Sequence, residues 1–408
     1  MKHSAFKYAA VAVSIATSLV VFSGCAASGG GGASSSADPG IDVTNKTITL
    51  GGWQSASGGV AVYKSVTAGA KAYFDSVNAS GGFNGWKVNY SPPDDGSDPA
   101  RALQAVKSQV ESNEVFALVA GPASPQNAQV TPYVEQMKVP YVGPNDNGDN
   151  YLGKDLKWIF PVNPPYSAMD ATSVSYAATA LGAKKFALVY QDDAVGQPVN
   201  AKFAAMVTAV GGTVVDRLPI KITDVDFSAV GRALEESAPD VIIYEGGPAN
   251  LVKVKTAVLS AGLNNAKWFA PYYDADPATV DLGPQVMEGT YFPYPTDAFF
   301  EDTPAIAKYQ ADVTTYAPDA KIGALTLAGY TNASAMGAVL DDITKNGATP
   351  TRSALVAAAQ TFDKRSVGLI SSLTWTPEHL GITSAKIFQL RGGKFTIVQE
   401  PQPLVYYK

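Results

Sequence analysis

The 408-residue sequence is long enough for two or three domains, which excludes a single small module. Its 30 basic and 36 acidic residues give a net charge of −6 without a basic cluster, which argues against nucleic acid as a partner. One cysteine and two histidines exclude an internal disulfide and a cysteine-based metal site, and they argue against a histidine-rich metal centre.

The first forty residues have the pattern of an export signal followed by a tether. Two lysines precede an apolar run over 8–22, which is shorter than the ~20 residues that a membrane-spanning helix needs. The sequence Phe22-Ser23-Gly24-Cys25 resembles a bacterial lipobox, although Phe22 stands where Leu is usual. We predict a signal peptide over 1–24, a lipid on Cys25 and a flexible tether over 25–45. The alternative is an ordinary secretory peptide with an incidental cysteine.

From residue 47 onward, short apolar or β-branched runs alternate with Ala-rich stretches of helical period. This alternation is typical of parallel strands joined by crossover helices. It predicts strands over 48–52, 86–90, 115–120 and 139–142, with helices over 63–79 and 125–137 and another from Asp98-Pro99. The rhythm then restarts with strands over 186–190, 213–218, 241–244 and 268–271 and helices over 199–210, 228–237 and 249–261. Two copies of one plan indicate two lobes.

Extended, proline-rich segments at 158–165 and 291–295 are candidate crossings between the lobes, and a third is predicted near 371–376. Helices over 305–316, 325–344 and 353–361 fit a return to the first lobe, and strands over 384–390 and 395–398 complete the second. The predicted fold is α/β, with two Rossmann-like lobes whose parallel-type sheets are joined by a three-segment hinge. Ligands of such sheets lie at the carboxyl ends of strands, so the lobes would form a closing cleft. The lobes are expected over 46–163 plus 294–372 and over 164–293 plus 373–408.

Several motifs in this order resemble one known family. They are Ile48–Gly52, Asn78–Gly85, Asp94–Pro99, Pro239–Tyr244 and Gly368–Trp375. Together they resemble type I periplasmic binding proteins, in particular the branched-chain amino-acid-binding (Leu/Ile/Val-binding-like) family of ABC transporter substrate-binding lipoproteins. The resemblance implies the type I fold, a small-molecule ligand, delivery to ABC permease membrane subunits, no catalysis and no cofactor.

The first lobe offers an anion-binding corner. Ser124 follows a predicted strand and precedes Pro125, so we expect it to cap a helix whose free N–H groups point into the cleft. The resemblance implies that a serine at this place binds the ligand carboxylate. The same resemblance implies further polar contacts from the loop after the next strand, here Asn145 and Asn147.

The second lobe departs from the amino-acid-binding pattern. Tyr272 and Tyr273 stand where those relatives have an acidic residue for the ligand ammonium, and Val195 stands where an aromatic residue is expected. Nearby Asp192, Asp193 or Asp274 could supply the charge, so an amino acid, a carboxylate without an amine and a neutral amide all remain open. The expected ligand-binding residues are Trp53, Tyr63, Ser124, Asn145, Asn147, Asp192, Val195, Gly247, Tyr272 and Asp274.

The leading hypothesis is an extracytoplasmic solute-binding lipoprotein of an ABC importer, monomeric and held at the outer face of the cell membrane or in the periplasm by the lipid on Cys25. A lipoprotein that senses ligand for a membrane receptor is the alternative, and an extracytoplasmic hydrolase fits less well. Only His379 remains after signal cleavage, and no Gly-x-Ser-x-Gly elbow is present. Gly148–Lys154 has phosphate-loop spacing, but Asp155 follows where a Ser or Thr is needed. We therefore expect no enzyme activity and no metal.

Overall fold

The computed structural model describes residues 37–152, 156–375 and 380–407. The predicted signal peptide, the predicted lipidation site Cys25, Lys154 and His379 lie outside the described residues. Within the described part, the end of the expected tether is already folded. Ile41–Asp42 forms an edge strand, and the Asp38 carboxylate accepts a hydrogen bond from the Arg352 backbone N–H at 2.6 Å.

The first sheet is parallel except at its edge, as the alternation of strands and helices predicted. Strands β1 to β6 are Ile41–Asp42, Thr47–Gly51, Lys87–Tyr90, Ala117–Val119, Tyr141–Val142 and Ile159–Phe160. Their order is β1-β2-β4-β5-β6, and β3 also pairs with β2. Both faces are covered: Ala117 and Val119 point into one hydrophobic cluster, and Leu118 between them points into another.

The second sheet has seven strands in the order β16-β15-β11-β10-β9-β7-β8. Strands β7 to β11 are Lys185–Gln191, Thr213–Ile220, Val241–Glu245, Lys267–Phe269 and Tyr291–Tyr294. These five run parallel, while β15 and β16 join as an antiparallel hairpin. β15 is Ser384–Arg391 and β16 is Lys394–Pro403. The fold is therefore α/β with two lobes, each built around one of these sheets.

A small antiparallel sheet occupies the place of the third expected crossing. Its strands β12, β13 and β14 are Arg365–Val367, Ile370–Thr374 and Gly381–Ile382. Leu373 and Trp375 are buried in the first-lobe core, and the Ile382 N–H donates to the Val162 carbonyl at 2.9 Å. The chain thus reaches the second sheet only at β15, later than the expected crossing over 371–376, because these strands first complete the first-lobe core.

Twelve α-helices lie in the described part of the chain. Helices α1 to α6 are Lys64–Ala79, Pro99–Glu111, Ser124–Met137, Tyr166–Ala180, Gln197–Ala209 and Ser228–Ser237. Helices α7 to α12 are Pro248–Ala261, Pro277–Val280, Pro284–Met287, Pro304–Tyr316, Ala324–Thr344 and Arg352–Ala359. Short 3₁₀ helices cover Ala61–Tyr63, Asp149–Tyr151, Tyr272–Ala275 and Lys345–Gly347.

Helices α1 and α11 cross closely enough to fix one wall of the cleft. A Cβ added to Gly69 would lie 1.9 Å from the Thr326 carbonyl oxygen, and one added to Gly329 would lie 1.8 Å from the Val66 carbonyl oxygen. Only glycine allows this approach. The crossing holds the starts of both helices, with Tyr63 before α1 and Leu325 in α11, beside the same cavity.

Candidate ligand-binding cleft

A cavity of about 460 Å³ lies between the carboxyl ends of strands from both sheets. The first lobe lines it with loops that follow β4 and β5, and the second lobe lines it with loops that follow β7, β9 and β10. This is the expected location for a ligand in two facing α/β sheets. The volume falls in the range of about 300–1,000 Å³ that is usual for small-molecule sites.

Seven of the ten expected ligand-binding residues line this cavity, and both lobes contribute to them. They are Tyr63, Ser124, Asn145, Asn147, Val195, Gly247 and Tyr272. Trp53, Asp192 and Asp274 do not line it.

Ser124 lies at the expected corner but does not cap the helix. It is the first residue of α3, and Ala123 before it holds the N-terminal position with a φ of 72°. The Ser124 hydroxyl instead donates to Asp146 Oδ1 at 2.6 Å and lies 2.7 Å from the Tyr166 hydroxyl. Because Ala123 to Gln126 all line the cavity, the start of α3 opens onto it.

Asp146 is a buried carboxyl behind this corner. Its other oxygen, Oδ2, accepts a hydrogen bond from the Tyr151 hydroxyl at 2.9 Å, and only 3% of the residue is exposed. Burial raises the pKa of Asp146, although the hydrogen bonds from Ser124 and Tyr151 favour its ionised form.

Asn145 and Asn147 are fixed by contacts within and across the lobes. The Asn145 side-chain oxygen accepts from the Asn332 amide at 3.1 Å, and its backbone N–H donates to the Gly121 carbonyl. The Asn147 amide donates to the Pro164 carbonyl at 2.7 Å, and its oxygen accepts from the Tyr272 hydroxyl of the second lobe at 3.3 Å. Asn147 therefore links the two walls of the cleft directly.

Three expected residues lie elsewhere for identifiable reasons. Trp53 is fully buried in the first-lobe core, and its Nε1 donates to the Pro122 carbonyl at 2.9 Å. Asp192 is exposed and accepts a hydrogen bond from the Gln197 amide on the outer surface. Asp274 is fully buried, and neither of its carboxyl oxygens has a hydrogen-bond partner in the described structure. Burial raises the pKa of Asp274 well above its usual value, so this carboxyl is not a cavity-facing charge.

Asp193 is the carboxylate that reaches the cavity on the second-lobe side. Its oxygens accept from the Gln191 amide at 2.6 Å and from the Val195 backbone N–H at 2.9 Å. Gln191 also accepts from the Gly247 N–H at 3.3 Å. These bonds hold the loops after β7 and β9 together, so Asp193 shapes the wall that Val195 and Gly247 line.

Sequence reasoning missed two further parts of the wall. Tyr166 begins α4, a helix that the strand and helix pattern did not predict, and its hydroxyl meets Ser124. Lys253 lies one turn into α7 and lines the cavity as an exposed ammonium. A signal for Tyr166 was available, because Pro164-Pro165 ends the extended crossing and proline commonly precedes the first turn of a helix.

Two more carboxyls lie beneath the second-lobe wall. Glu245 ends β9 and accepts a hydrogen bond from the Tyr273 hydroxyl, while Asp170 lies on α4 close enough to Glu245 for the two carboxyls to interact electrostatically. Burial, reinforced by their mutual proximity, raises the pKa of Glu245 well above its usual value, and burial likewise raises that of Asp170. Two carboxyls this close in a buried site favour sharing a proton.

No cluster of three or more His, Cys, Asp or Glu side chains suited to a metal ion occurs among residues 37–152, 156–375 and 380–407. Across the same described ranges, none of the helices combines the length and the apolar character needed to span a bilayer.

Comparison with known proteins identifies the family. The family model for periplasmic binding proteins matches residues 47–394. An amino acid binding protein of Pseudomonas aeruginosa is 21% identical over 54% of this chain and 65% of its own length. The Leu/Ile/Val-binding protein BraC3 of Rhizobium johnstonii is 26% identical over 57% of this chain and 66% of its own length. The chain thus spans slightly less than two thirds of the length of these curated relatives.

The structure of a fatty acid ABC transporter substrate-binding protein from Thermomonospora curvata has the same fold, with a TM-score of 0.80, 23% identity and coverage of 90% of this chain and 95% of that one. Because the family model covers most of the sequence, the chain belongs to the periplasmic binding protein family.

Proposed function

We propose that this chain is an extracytoplasmic solute-binding lipoprotein of an ABC importer, which captures a small organic molecule between its lobes. The observation that carries the proposal is a cavity whose lining comes from the strand ends of both sheets. Polar groups at the start of α3 line one side of it, and tyrosines line the other. Membership of the periplasmic binding protein family supports a binding role. The named relatives bind amino acids or fatty acids, and these ligands share a carboxylate.

The arrangement suits capture of a ligand by closure. Asn147 and Tyr272 come from different lobes and meet at the cavity wall, so bringing the lobes together completes the enclosure. A ligand that contacts both walls stabilises the closed form by its differential affinity for it. A permease that recognises the closed form would then receive only loaded protein. We propose that the chain acts as a monomer, that the lipid on Cys25 holds it at the membrane, and that the permease membrane subunits receive the ligand from it.

The first experiment identifies the ligand and locates its site. The tagged chain without residues 1–24 is purified, and native mass spectrometry searches for a bound small molecule. Thermal shift then screens amino acids, aliphatic and aromatic carboxylates, and amides. We expect at least one compound to raise the Tm, by an amount that grows with the logarithm of its concentration above the Kd. If no compound raises the Tm and nothing co-purifies, the proposed binding function is wrong.

A matched pair of variants tests whether the cavity is the binding site. Ala249 is exposed on α7 at the cavity, so Ala249→Trp would fill the space without entering a packed core. Ala204 is also an exposed helical alanine, but it lies on α5 and does not line the cavity. We expect Ala249→Trp to abolish the ligand-induced shift and Ala204→Trp to keep it. Equal binding by both variants would move the site elsewhere.

Deletion in the native host tests the transport step. Loss of uptake of the identified ligand supports an importer component. Normal uptake with loss of the transcriptional response to the ligand would instead support the sensing alternative. A complementing copy with Ala249→Trp should fail to restore uptake, whereas one with Ala204→Trp should restore it.

A further inference from the structure

The hydrogen bonds among Ser124, Asp146 and Tyr166 limit which ligand charge this part of the cleft can bind. A serine hydroxyl carries one hydrogen, and the Ser124 hydrogen is directed to Asp146 Oδ1 at 2.6 Å. With that hydrogen in use, the contact between Ser124 and Tyr166 at 2.7 Å is one in which Tyr166 donates. While Asp146 is ionised, neither hydroxyl therefore has a hydrogen left for a ligand carboxylate.

The surroundings of Asp146 hold hydroxyl groups and further acids. Its side-chain hydrogen bonds come from Ser124 and Tyr151, and the phenols of Tyr141, Tyr166 and Tyr272 lie near enough for its charge to raise their pKa. A second cavity adjoins the same corner and is lined by Ser124, Asp146, Glu135 and Asp193. Glu135 accepts from the backbone N–H groups of Lys157 and Trp158. The charged groups on the adjoining elements are Glu135 on α3, Asp193 after β7, and the ion pair of Asp149 with Lys202 at 2.6 Å.

A carboxylate bound at the start of α3 would share Ser124 with Asp146. Two carboxylates on one hydroxyl repel each other, and the buried site screens this repulsion poorly. The conflict disappears when Asp146 carries a proton. The Asp146 hydroxyl then donates to Ser124 Oγ, and the Ser124 hydrogen is free to turn toward the ligand.

We propose that Asp146 adjusts the charge of the cleft to that of the ligand by changing its own protonation. When a carboxylate binds beside Ser124, Asp146 takes up one proton from solvent and becomes neutral. The inference rests on the proposed function, since it requires a ligand in this cavity. An uncharged amide bound in the same pose makes no such demand on Asp146.

The sign of the pH dependence follows from linkage. The anionic ligand favours the protonated form of Asp146, so its pKa is higher in the complex than in the free protein, where burial has already raised it. Between these two pKa values, affinity for the carboxylate rises as the pH falls, by up to tenfold per pH unit. Below the lower value and above the higher one, affinity no longer changes with pH.

The test compares carboxylates with their amides. Isothermal titration calorimetry measures binding of benzoate and benzamide, 4-methylpentanoate and 4-methylpentanamide, and octanoate and octanamide between pH 5.5 and 8.0. Free carboxylic acids with a pKa of about 4 to 5 are at least about three-quarters ionised over this range, so their own titration changes the affinity far less than tenfold. We expect tighter carboxylate binding at lower pH and constant amide binding. Titration in buffers of different ionisation enthalpy counts the protons taken up with the wild-type protein alone.

Asp146→Asn supplies the decisive variant. An asparagine amide can donate to Ser124 as the protonated carboxyl would, so we expect carboxylate binding that is tight at every pH and without proton uptake. Asp319→Asn is the control: Asp319 is exposed between α10 and α11 and does not line the cavity, and this variant should keep the wild-type slope.

Three results would overturn the inference while leaving the proposed function intact. They are carboxylate binding that is independent of pH and takes up no proton, amide binding with the same pH slope, or an unchanged slope in a folded Asp146→Asn protein. Absence of binding for all six compounds and for any co-purified molecule would overturn the proposed function, and the inference with it.

Discussion

Trp53 gives the sharpest test of the geometry, because the sequence places it at the cleft edge and the structure places it in the core. Its side chain is fully buried in the cluster under α2 and α3, and its ring lies edge-on to Tyr141 at a centroid distance of 6.1 Å. Its Nε1 donates to the Pro122 carbonyl, two residues before Ser124. The indole therefore supports the loop that carries the binding corner without lining the cavity.

The structure sets the size of the effect. Truncating a buried tryptophan to alanine costs about 3–5 kcal/mol of unfolding free energy. The Pro122 carbonyl, left without its donor, adds about 1 kcal/mol. At about 2 °C per kcal/mol for a chain of this length, Trp53→Ala should lower the ligand-free Tm by about 8–12 °C. Trp53→Phe keeps most of the ring and loses the N–H group, so it should lower the Tm by about 2–4 °C.

Differential scanning calorimetry of the ligand-free protein measures both shifts, and titration at a temperature where all variants are folded measures affinity. Trp86→Ala is the matched control, because Trp86 is equally buried but packs in the other first-lobe cluster, at the amino end of β3. We expect a comparable Tm loss from Trp86→Ala with unchanged affinity. An unchanged Tm for Trp53→Ala together with lost affinity would refute the core assignment and restore Trp53 to the cavity wall.

Three further predictions address anchoring, packing and buried charge. Cys25→Ser should move the protein from the membrane fraction to the soluble fraction on cell fractionation, with the ligand-induced Tm shift unchanged. Gly329→Ala should lower the unfolding free energy by about 1–3 kcal/mol in urea titrations, because the added methyl meets the Val66 carbonyl; Gly59→Ala, where the methyl has open space, should not. Burial raises the pKa of Glu245 in the folded protein, so this carboxyl contributes its full stability below the unfolded pKa of about 4.3 and loses that contribution as the pH rises through the folded pKa. Glu245→Gln, which does not titrate, should therefore gain unfolding free energy relative to wild type from pH 4.5 to 7.5. Parallel curves of unfolding free energy against pH for the two proteins would contradict this.

The sequence predicts the α/β plan well where periodicity and termini agree. The helix expected over 228–237 is α6 with the same bounds, and Asp98 caps α2 by accepting hydrogen bonds from the Ala100 and Arg101 N–H groups. Polar loops after predicted strands also indicate the cavity correctly, because parallel strands bring their carboxyl ends to one edge.

The same signals fail where burial is complete or partners are distant in sequence. Helix α4 is buried on nearly all sides over Tyr166 to Val174, so it has no polar stripe by which a helical period could be recognised. The strands β12 to β14 have only two to five residues each, and β14 is held by a hydrogen bond from the Ile382 N–H to the Val162 carbonyl, which lies far away in the chain. Gly52 separates Trp53 from the end of β2, and its φ of 147° changes the direction of the backbone before the tryptophan.

The sequence gives the number of acidic residues but not which of them are ionised in the folded protein. This matters for a protein of net charge −6 that is proposed to hold a carboxylate. Around the cleft, Asp146, Asp170 and Glu245 are all buried, and burial raises the pKa of each. Protonated carboxyls act as hydrogen-bond donors to neighbours such as Ser124, where ionised ones could only accept. The charge of the wall that faces an anion at the positive end of α3 therefore depends on which of these acids carry a proton, and not on the residue count alone. The ligand charge that this cleft accepts therefore depends on the protonation of its buried acids, and that protonation follows from how each acid is packed.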